Sequence, residues 1–207
     1  MARHSGERRA ASSADPVEDA ALVRAAQRGD RDAFGALVAR YAPRILSVAT
    51  RMLGSAADGE DLAQDTFIAA FKALPAFQRD ARFSTWLYRI AVNKCTDALR
   101  ARRPETVSID SADDASDIAW QTAHRSTPHG ELERTELAGE LERRIQELPP
   151  LYRESFLLKH VEGLGYDEMS EVLGVHRDTL KMRVYKARTF LSRALTRVLE
   201  VKPRLKP

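Results

Sequence analysis

Between Arg31 and Leu53 the chain reads "RDAFGALVARYAPRILSVATRML", and Phe34, Leu37, Tyr41, Ile45, Val48 and Met52 recur every three or four residues. That spacing writes one apolar stripe along a helix, and no sheet accepts it, because strand side chains alternate with a period of two. The same period returns along the chain. A first helix is expected after Asp15-Pro16, with Pro at an early turn, up to Arg28 before the "GD" stop. A third is expected from about Glu60 to Leu74, after the break "GSAADGE", with Ala63, Phe67, Ala70, Phe71 and Leu74 inward and Pro75 ending it. A fourth carries Phe83, Leu87, Ile90, Ala91 and Ala98. Four helices on short connections make a compact all-α module.

A second helical module is expected from about Glu131. Leu137, Leu141, Ile145 and Leu148 repeat at helical spacing, "LPP" interrupts, Tyr152 to Glu162 continues, and "GLG" interrupts again. A short helix from Asp167 to Leu173 then gives way, through Gly174, to a long helix from about Arg177. Gly174 suits the left-handed residue at a helix end, and Ser170 is small where two crossing helices approach. The long helix buries Leu180, Val184, Ala187, Leu191, Ala194 and Val198. Nothing reads as strand, so the fold class is all-α: two small helical domains, 17–103 and 131–200, joined by a flexible linker, 104–130. A disordered tail is expected at 1–16 and a basic one at 201–207. At 207 residues the chain is long enough for two modest cores.

Charge is segregated although the net charge is only +3. Arg79 to Arg103 holds seven Lys and Arg against two Asp, and His176 to Pro207 holds ten against two acids. The linker between them carries five acids and one Arg. Two basic surfaces around an acidic connector point to a polyanion touched at two places. The fourth helix shows Thr85, Arg89, Asn93, Thr96, Arg100 and Arg103 on its wet face, polar and cationic without matching acids. The long last helix shows Lys181, Met182, Tyr185, Lys186 and Arg188 beside its buried stripe. A helix-turn-helix places such a helix in the major groove, where Lys and Arg meet guanine edges or phosphates and Met and Tyr meet thymine methyls.

Other chemistries find little support. The single cysteine, Cys95, excludes an internal disulfide and a cysteine-cluster zinc site, and is read as a small buried residue. His4, His124, His129, His160 and His176 lack carboxylate or thiolate companions at metal-ligand spacing. "HRD" at 176–178 lacks the asparagine and glycine-rich loop of a kinase. No cofactor and no catalytic residue are expected. The N-terminus has no signal-like apolar segment, and no run of about 18 apolar residues could span a bilayer. A cytoplasmic protein without membrane insertion is therefore expected.

"LPPLYRESFLLKHVEGLGYDEMSEVLGVHRDTLKMRVYKAR" resembles region 4, the promoter-reading domain of bacterial sigma factors. "DGEDLAQDTFIAAFKAL" followed by "FSTWLYRIAVNKCTDALR" resembles region 2 of the same family. The presence of only these two domains is similar to the extracytoplasmic-function (ECF) group. Where the family often has Pro-x-Gly-Thr-Val, this chain has His176-Arg177-Asp178-Thr179-Leu180.

The resemblance implies a subunit that docks on core RNA polymerase and directs it to promoters. Asp61, Gln64, Asp65 and Ile68 would meet the clamp helices of the large polymerase subunit. Phe77, Gln78, Arg79 and Asp80 would form the loop that captures a base of the −10 element, with Thr85, Trp86, Arg89, Asn93 and Lys94 along the opened DNA. Arg177, Thr179, Lys181, Met182, Arg183, Tyr185, Lys186 and Arg188 would read the −35 element as duplex. An anti-sigma factor is a further implied partner. Separated bases lose stacking, so aromatic faces and arginine planes must replace it, at roughly 1–3 kcal/mol per base. Of Trp86 and Tyr88, one is expected in the core. The two promoter elements lie roughly 50–60 Å apart, so the linker, which stretches to about 85 Å, would be drawn out along the polymerase, its acids mimicking nucleic acid in a basic channel. The alternatives are a free-standing helix-turn-helix regulator that needs no polymerase, and a nucleic-acid enzyme, for which clustered carboxylates and metal ligands are missing.

Overall fold

The computed structural model describes residues 16–78, 82–102 and 131–201, with side chains from 17–78, 82–102 and 138–196, and among them are eight α-helices and one 3-10 turn. The expected linker and both expected tails lie outside the described residues, except Pro16 and Val201 at helix ends. Every element among the described residues is helical: α1 (Pro16–Gln27), α2 (Arg31–Leu53), α3 (Ala56–Ala73), the 3-10 turn (Leu74–Ala76), α4 (Phe83–Ala101), α5 (Glu131–Glu147), α6 (Pro150–His160), α7 (Tyr166–Leu173) and α8 (Arg177–Val201).

Local chemistry sets the boundaries. The Asp30 carboxylate accepts from the Asp32 and Ala33 N–H groups at 3.0 Å and starts α2, as expected of a side chain that satisfies the free donors of a first turn. Gly54 ends it at φ +74, in the left-handed region that favours glycine. The carbonyls freed at that end are taken by the second half of the chain. Arg153 of α6 donates to the Met52 carbonyl at 2.6 Å, and Gln146 of α5 donates to the Arg51 carbonyl at 2.6 Å. Arg153 also donates to the carbonyl of Leu148 at 3.0 Å and to that of Gln146, closing the end of α5. One guanidinium thus satisfies two helix termini, removing acceptors that would be costly to bury unpaired.

α3 begins earlier than the sequence suggested. The run "GSAADGE" reads as a break, but Ser55 caps the helix through the Asp58 N–H, and Gly59 lies inside it. A Cβ at Gly59 would stand 2.8–2.9 Å from the Thr50 backbone, so this glycine is what lets α3 cross α2 closely. Phe71, expected inward, is 48% exposed. The crossing turns it to the rim, where it meets Phe34 edge-on with centroids 5.0 Å apart.

α4 departs most from expectation, because it is buried on two sides. Phe83, Leu87 and Ala91 face α2 and α3, Tyr41 lying against Phe83 at 5.6 Å. Thr85, Tyr88, Val92 and Cys95, at spacings of three and four residues, form a second buried stripe. This stripe faces the second half of the chain, where the Tyr88 hydroxyl donates to Glu162 and α7 packs along α4. Thr85 is therefore not on the wet face. Burying Tyr88 and Val92 there removes apolar surface worth roughly 1.5–3 kcal/mol per side chain. The core consequently runs without interruption through both halves.

Gly59→Ala should bring α3 against the Thr50 backbone and lower stability by about 1–3 kcal/mol. A urea melt followed by circular dichroism measures this. A midpoint equal to the parent's would mean that the crossing tolerates a methyl group.

Candidate nucleic-acid and protein interfaces

The α3 residues expected to meet a partner are all exposed, and they divide into two adjoining strips. Gln64 and Ile68 stand on the rim of an apolar groove of ≈790 Å³ between α2 and α3, floored by Phe34, Val38, Leu46 and Phe67. Ile68 and Phe71 are 45% and 48% exposed there, a large apolar opening for a protein surface. Asp61 and Asp65 turn the other way, into a shallow recess shared with Asp58, with Lys94 of α4 and with Arg102 just past its end. Arg102 pairs with Asp58 at 2.9 Å, and the Ser55 hydroxyl, helped by that pair, holds the Asp58 carboxyl below the usual range. Lys94 thus joins the α3 acids and stands apart from Arg89 and Asn93.

The groove itself was not legible. Its signal lay in apolar residues spare to the core stripe, Val38 and Leu46 on α2 and Ile68 on α3, and they are joined by Phe34, which was counted in that stripe but is half-buried and lines the groove.

A second, more polar pocket of ≈350 Å³ opens where the 3-10 turn meets α4, lined by Ala76, Phe77, Gln78, Thr85, Trp86, Arg89 and Glu171. Phe77 is buried, with its ring 4.7 Å from Trp86 and 6.2 Å from Phe83. Trp86 is half-buried while Tyr88 is fully buried, so of the two it is Tyr88 that belongs to the core. Gln27, at the end of α1, donates to the carbonyls of Leu74 at 3.0 Å and Phe77 at 2.9 Å. It fixes the backbone on which Phe77 and Gln78 sit. A lone glutamine in a helical stretch gives no sign of that role, since its partners lie some fifty residues away. Arg79 and Asp80 lie outside the described residues.

The cationic stripe of α4 is narrower than its sequence suggests, and acids match part of it. Arg89 and Asn93 are exposed, Thr96 is half-buried, and Arg103 lies outside the described residues. Arg100 pairs with Asp97 at 3.6 Å. Arg82, just before α4, pairs with Glu168 of α7 at 2.8 Å.

α7 and α8 meet at the expected turn. Gly174 has φ +65, its N–H donates to the Ser170 carbonyl at 2.9 Å, and the Ser170 hydroxyl donates to the Val175 carbonyl at 2.8 Å. Small size at position 170 therefore comes with a hydrogen bond that ties the turn. Glu168 accepts from the Gly165 N–H at 2.8 Å and closes the first turn of α7. On α8, Leu180, Val184, Ala187 and Leu191 are buried and Ala194 half-buried, while the Val198 side chain, like that of Leu137 on α5, lies outside the described ones.

Thr179, Lys181, Met182, Tyr185 and Arg188 share the exposed side of α8, and Lys186 is half-buried beside them. Met182 is 53% and Tyr185 43% exposed, unusual for large apolar residues on an otherwise cationic face. Arg177 pairs with Asp167 at 2.9 Å, and Lys181 with Asp178 at 2.8 Å. Both pairs are well exposed, so each costs little to break.

Arg183 differs from these. It turns inward and lies 3.5 Å from Glu154 of α6, which is buried. Burial pushes the Glu154 carboxyl up to about 7, against the pull of Arg183 and Arg100. Cys95, whose thiol burial pushes up to about 12, is enclosed in the same region and is chemically quiet. Because the folded state holds a proton on Glu154 that the unfolded chain releases near 4.5, stability should fall as pH rises from about 4.5 through about 7. Glu154→Gln should flatten that part of the pH–stability curve, measured by denaturant melts. An unchanged slope would place the titration elsewhere.

Known proteins place this geometry. Residues 37–105 match the family model for Sigma-70 region 2, and residues 138–191 that for Sigma-70, region 4. The chain is 35% identical over 186 residues to the RNA polymerase sigma-H factor of Pseudomonas aeruginosa, covering 88% of this chain and 96% of that one. It is 31% identical over 176 residues to the ECF RNA polymerase sigma factor SigW of Bacillus subtilis, covering 84% and 94%. Among solved structures, CnrH in complex with the cytosolic domain of CnrY superposes with a TM-score of 0.63 at 32% identity, over 86% of this chain and 97% of that one. Among the described residues no helix is long and apolar enough to cross a membrane, and no group of three or more His, Cys, Asp or Glu could hold a metal. With both sigma regions in order and relatives matched over nearly their whole length, the chain belongs to the extracytoplasmic-function family of RNA polymerase sigma factors.

Proposed function

We propose that three surfaces divide the work of this sigma factor: α3 with its apolar groove docks on core polymerase, α4 and the loop before it hold the opened −10 element, and α8 reads the −35 element as duplex. The exposed face of α8 is the observation that carries the scheme. Lys181, Met182, Tyr185 and Arg188 stand outward on a helix whose opposite side is buried, with the tied turn of a helix-turn-helix before it. Exposed apolar side chains among cations suit base edges and thymine methyls better than they suit water.

The α3 surface supports docking through shape and charge together. An apolar opening rimmed by Gln64 and Ile68, with Asp61 and Asp65 alongside, fits a helical partner with an apolar ridge and basic flanks, which the clamp helices of the large subunit would supply. The division into a region 2-like domain at 17–103 and a region 4-like domain at 131–200 follows the same surfaces.

The pocket of Phe77, Gln78, Thr85, Trp86 and Arg89 supports capture of an unstacked base, with Arg79 and Asp80 next in the loop and Asn93 along the strand. Aromatic and guanidinium planes replace lost stacking, and Gln78 and Thr85 can address a base edge. Lys94 would then sit at the margin between the polymerase and DNA contacts. Arg183 supports α8 from within, by its pair with Glu154, and Arg177 and Thr179 lie at the end of α8 that would enter the groove.

In this scheme the polymerase performs the chemistry and the present chain is not an enzyme. Its effect is to lower the free energy of the melted state at chosen sequences. It acts in the cytoplasm. CnrH was solved bound to the cytosolic domain of CnrY, and the sigma factor RpoE of Bartonella quintana was solved with the anti-sigma factor NepR. By analogy an anti-sigma factor is a partner here. A free-standing regulator is not favoured, since it would need neither the α3 surface nor the α4 pocket.

Three variants test the division. Asp61→Lys with Asp65→Lys should abolish co-elution with core polymerase through a salt wash while leaving DNA binding by the free chain intact; undiminished co-elution would remove α3 from the interface. Gln27→Ala should release the loop backbone at Phe77 and slow promoter opening about tenfold, the range of one or two lost hydrogen bonds, as seen by permanganate reactivity of unpaired thymines. Binding of upstream duplex should not change. Lys181→Ala should do the reverse, weakening upstream binding by about 1–3 kcal/mol if it reads a base edge.

A further inference from the structure

We infer that Asp178, in the first turn of α8, determines specificity: with Lys181 it selects one C·G base pair of the upstream element, its carboxylate accepting from the cytosine amino group while the ammonium donates to the paired guanine. This rests on the reading that α8 enters the major groove.

Position is the first support. Lys181, Met182 and Tyr185 follow Asp178 by three, four and seven residues, and all four are exposed. They share one side of α8, away from the buried Leu180, Val184, Ala187 and Leu191. The first turn of a recognition helix is the part that meets base edges. Asp178 is not among the residues that the resemblance assigns to the −35 element, and it stands where that family often has the glycine of Pro-x-Gly-Thr-Val.

Charge is the second. A carboxylate brought among phosphates is repelled by them, and stripping it of water without supplying donors is costly. The major groove offers such a group two donors only, the amino groups of cytosine and of adenine. Adenine places its N7 acceptor beside that amino group, where it opposes the carboxylate lone pairs; cytosine has only carbon there. Cytosine is therefore the base that suits Asp178.

The third is the pairing of Asp178 with Lys181. The Lys181 ammonium donates to the Asp178 carboxylate at 2.8 Å. Arg177 is turned aside to Asp167 of α7 at 2.9 Å. His176 accepts the Asp178 N–H at 3.4 Å, and its Nδ1 lies 3.9 Å from the second carboxylate oxygen. Lys181, through its hydrogen bond and its charge, holds the Asp178 carboxyl below the usual range, with smaller help from His176 and Arg177. An ionised carboxylate accepts and cannot donate.

Spacing makes the two side chains a unit. In a C·G pair the cytosine N4 and the guanine O6 are hydrogen-bonded to each other, so they lie about 2.9 Å apart. An acceptor beside a donor on the protein thus faces a donor beside an acceptor on the DNA, at matching separation. The ion pair need not break, because a second carboxylate oxygen and further ammonium protons remain for the bases. An A·T pair also sets a donor beside an acceptor, but with N7 flanking the amino group and a methyl flanking O4; guanine instead gives the ammonium a second acceptor in N7. The reversed G·C pair sets acceptor against acceptor and donor against donor.

The full chain reconstituted with core polymerase tests this on a randomised duplex library, bound sequences being read out. The parent should retain one C·G pair of the upstream element in a single orientation, preferred about tenfold, within the range of one good base contact. Asp178→Ala should flatten the preference at that pair and leave the other positions unchanged. Asp178→Asn should turn it toward A·T, since an amide accepts from N6 and donates to N7. Lys181→Ala should relax the same pair, and adding Asp178→Ala to it should relax that pair no further. N4-methylcytosine at the selected position, which lacks the outward N–H, should weaken the parent about tenfold and leave Asp178→Ala unaffected.

An acid that served only the start of α8 would, on removal, weaken binding to every sequence alike. That result in Asp178→Ala overturns the proposal, as does a parent selection in which no C·G position responds to the variant. Met182→Ala then locates the failure. If it changes the preference at another upstream position, α8 reads bases and only the role of Asp178 is wrong. If it changes none, the assignment of α8 to the duplex has failed as well.

Discussion

Burial of α4 on two faces is the constraint from which the remainder of the structure follows. One face, through Phe83, Leu87 and Ala91, completes the core with α2 and α3; the other, through Thr85, Tyr88, Val92 and Cys95, is covered by the second half of the chain. A helix held on two sides has one sector left for solvent. Arg89 and Asn93 occupy it, and the Trp86 ring lies at its edge. The proposed DNA contacts therefore stand on a helix whose rotation about its own axis is set by its packing on α2 and α3, which keeps the lost freedom on binding small.

The same economy appears at the helix ends. Gln146 and Arg153 reach the terminal carbonyls of α2, and Gln27 reaches those of the 3-10 turn and the loop beyond it. These bonds link segments between about fifty and one hundred residues apart in sequence. They hold loops by their backbones and leave the side chains of Phe77 and Gln78 available. Positioning by main-chain anchors suits the proposed role, in which the chain contributes binding energy at a melted state.

What could be read from the sequence was whatever is local. The stripe of α2 from Leu37 to Met52, its stop at Gly54, the left-handed Gly174 and the start of α8 at Arg177 all follow from spacing and punctuation, and each stands where its residues predict; Phe34, counted with that stripe, turns instead to the groove. What could not be read depends on neighbours distant in the chain. Gly59 looks like a break until α2 is seen crossing it at Thr50. Thr85 looks like a wet residue because the partner that covers its stripe comes from α7. Arg183 looks like one more cation of the α8 face, since Glu154 lies on another helix. The apparent lack of acids along α4 had the same origin in part: Asp58 and Glu168, which meet Arg102 and Arg82, belong to α3 and α7, whereas Asp97, which meets Arg100, lies on α4 itself. Of the candidate sites, residue types were legible and their grouping was not. Asp61 and Ile68 fall on different strips of α3, and Lys94 faces the α3 acids, because grouping is decided by the rotation of each helix in the packed fold.

The central claim is that α4 grips separated bases while α8 grips intact duplex in one and the same complex. Photocrosslinking from benzoylphenylalanine placed at Asn93 or at Met182, with core polymerase on a promoter mapped for this protein, tests it in a single experiment. The account predicts that the Asn93 probe labels one strand within the melted segment and the Met182 probe labels duplex about 50–60 Å upstream. Labelling of the same DNA segment by both probes, or of polymerase alone by the Asn93 probe, would contradict it.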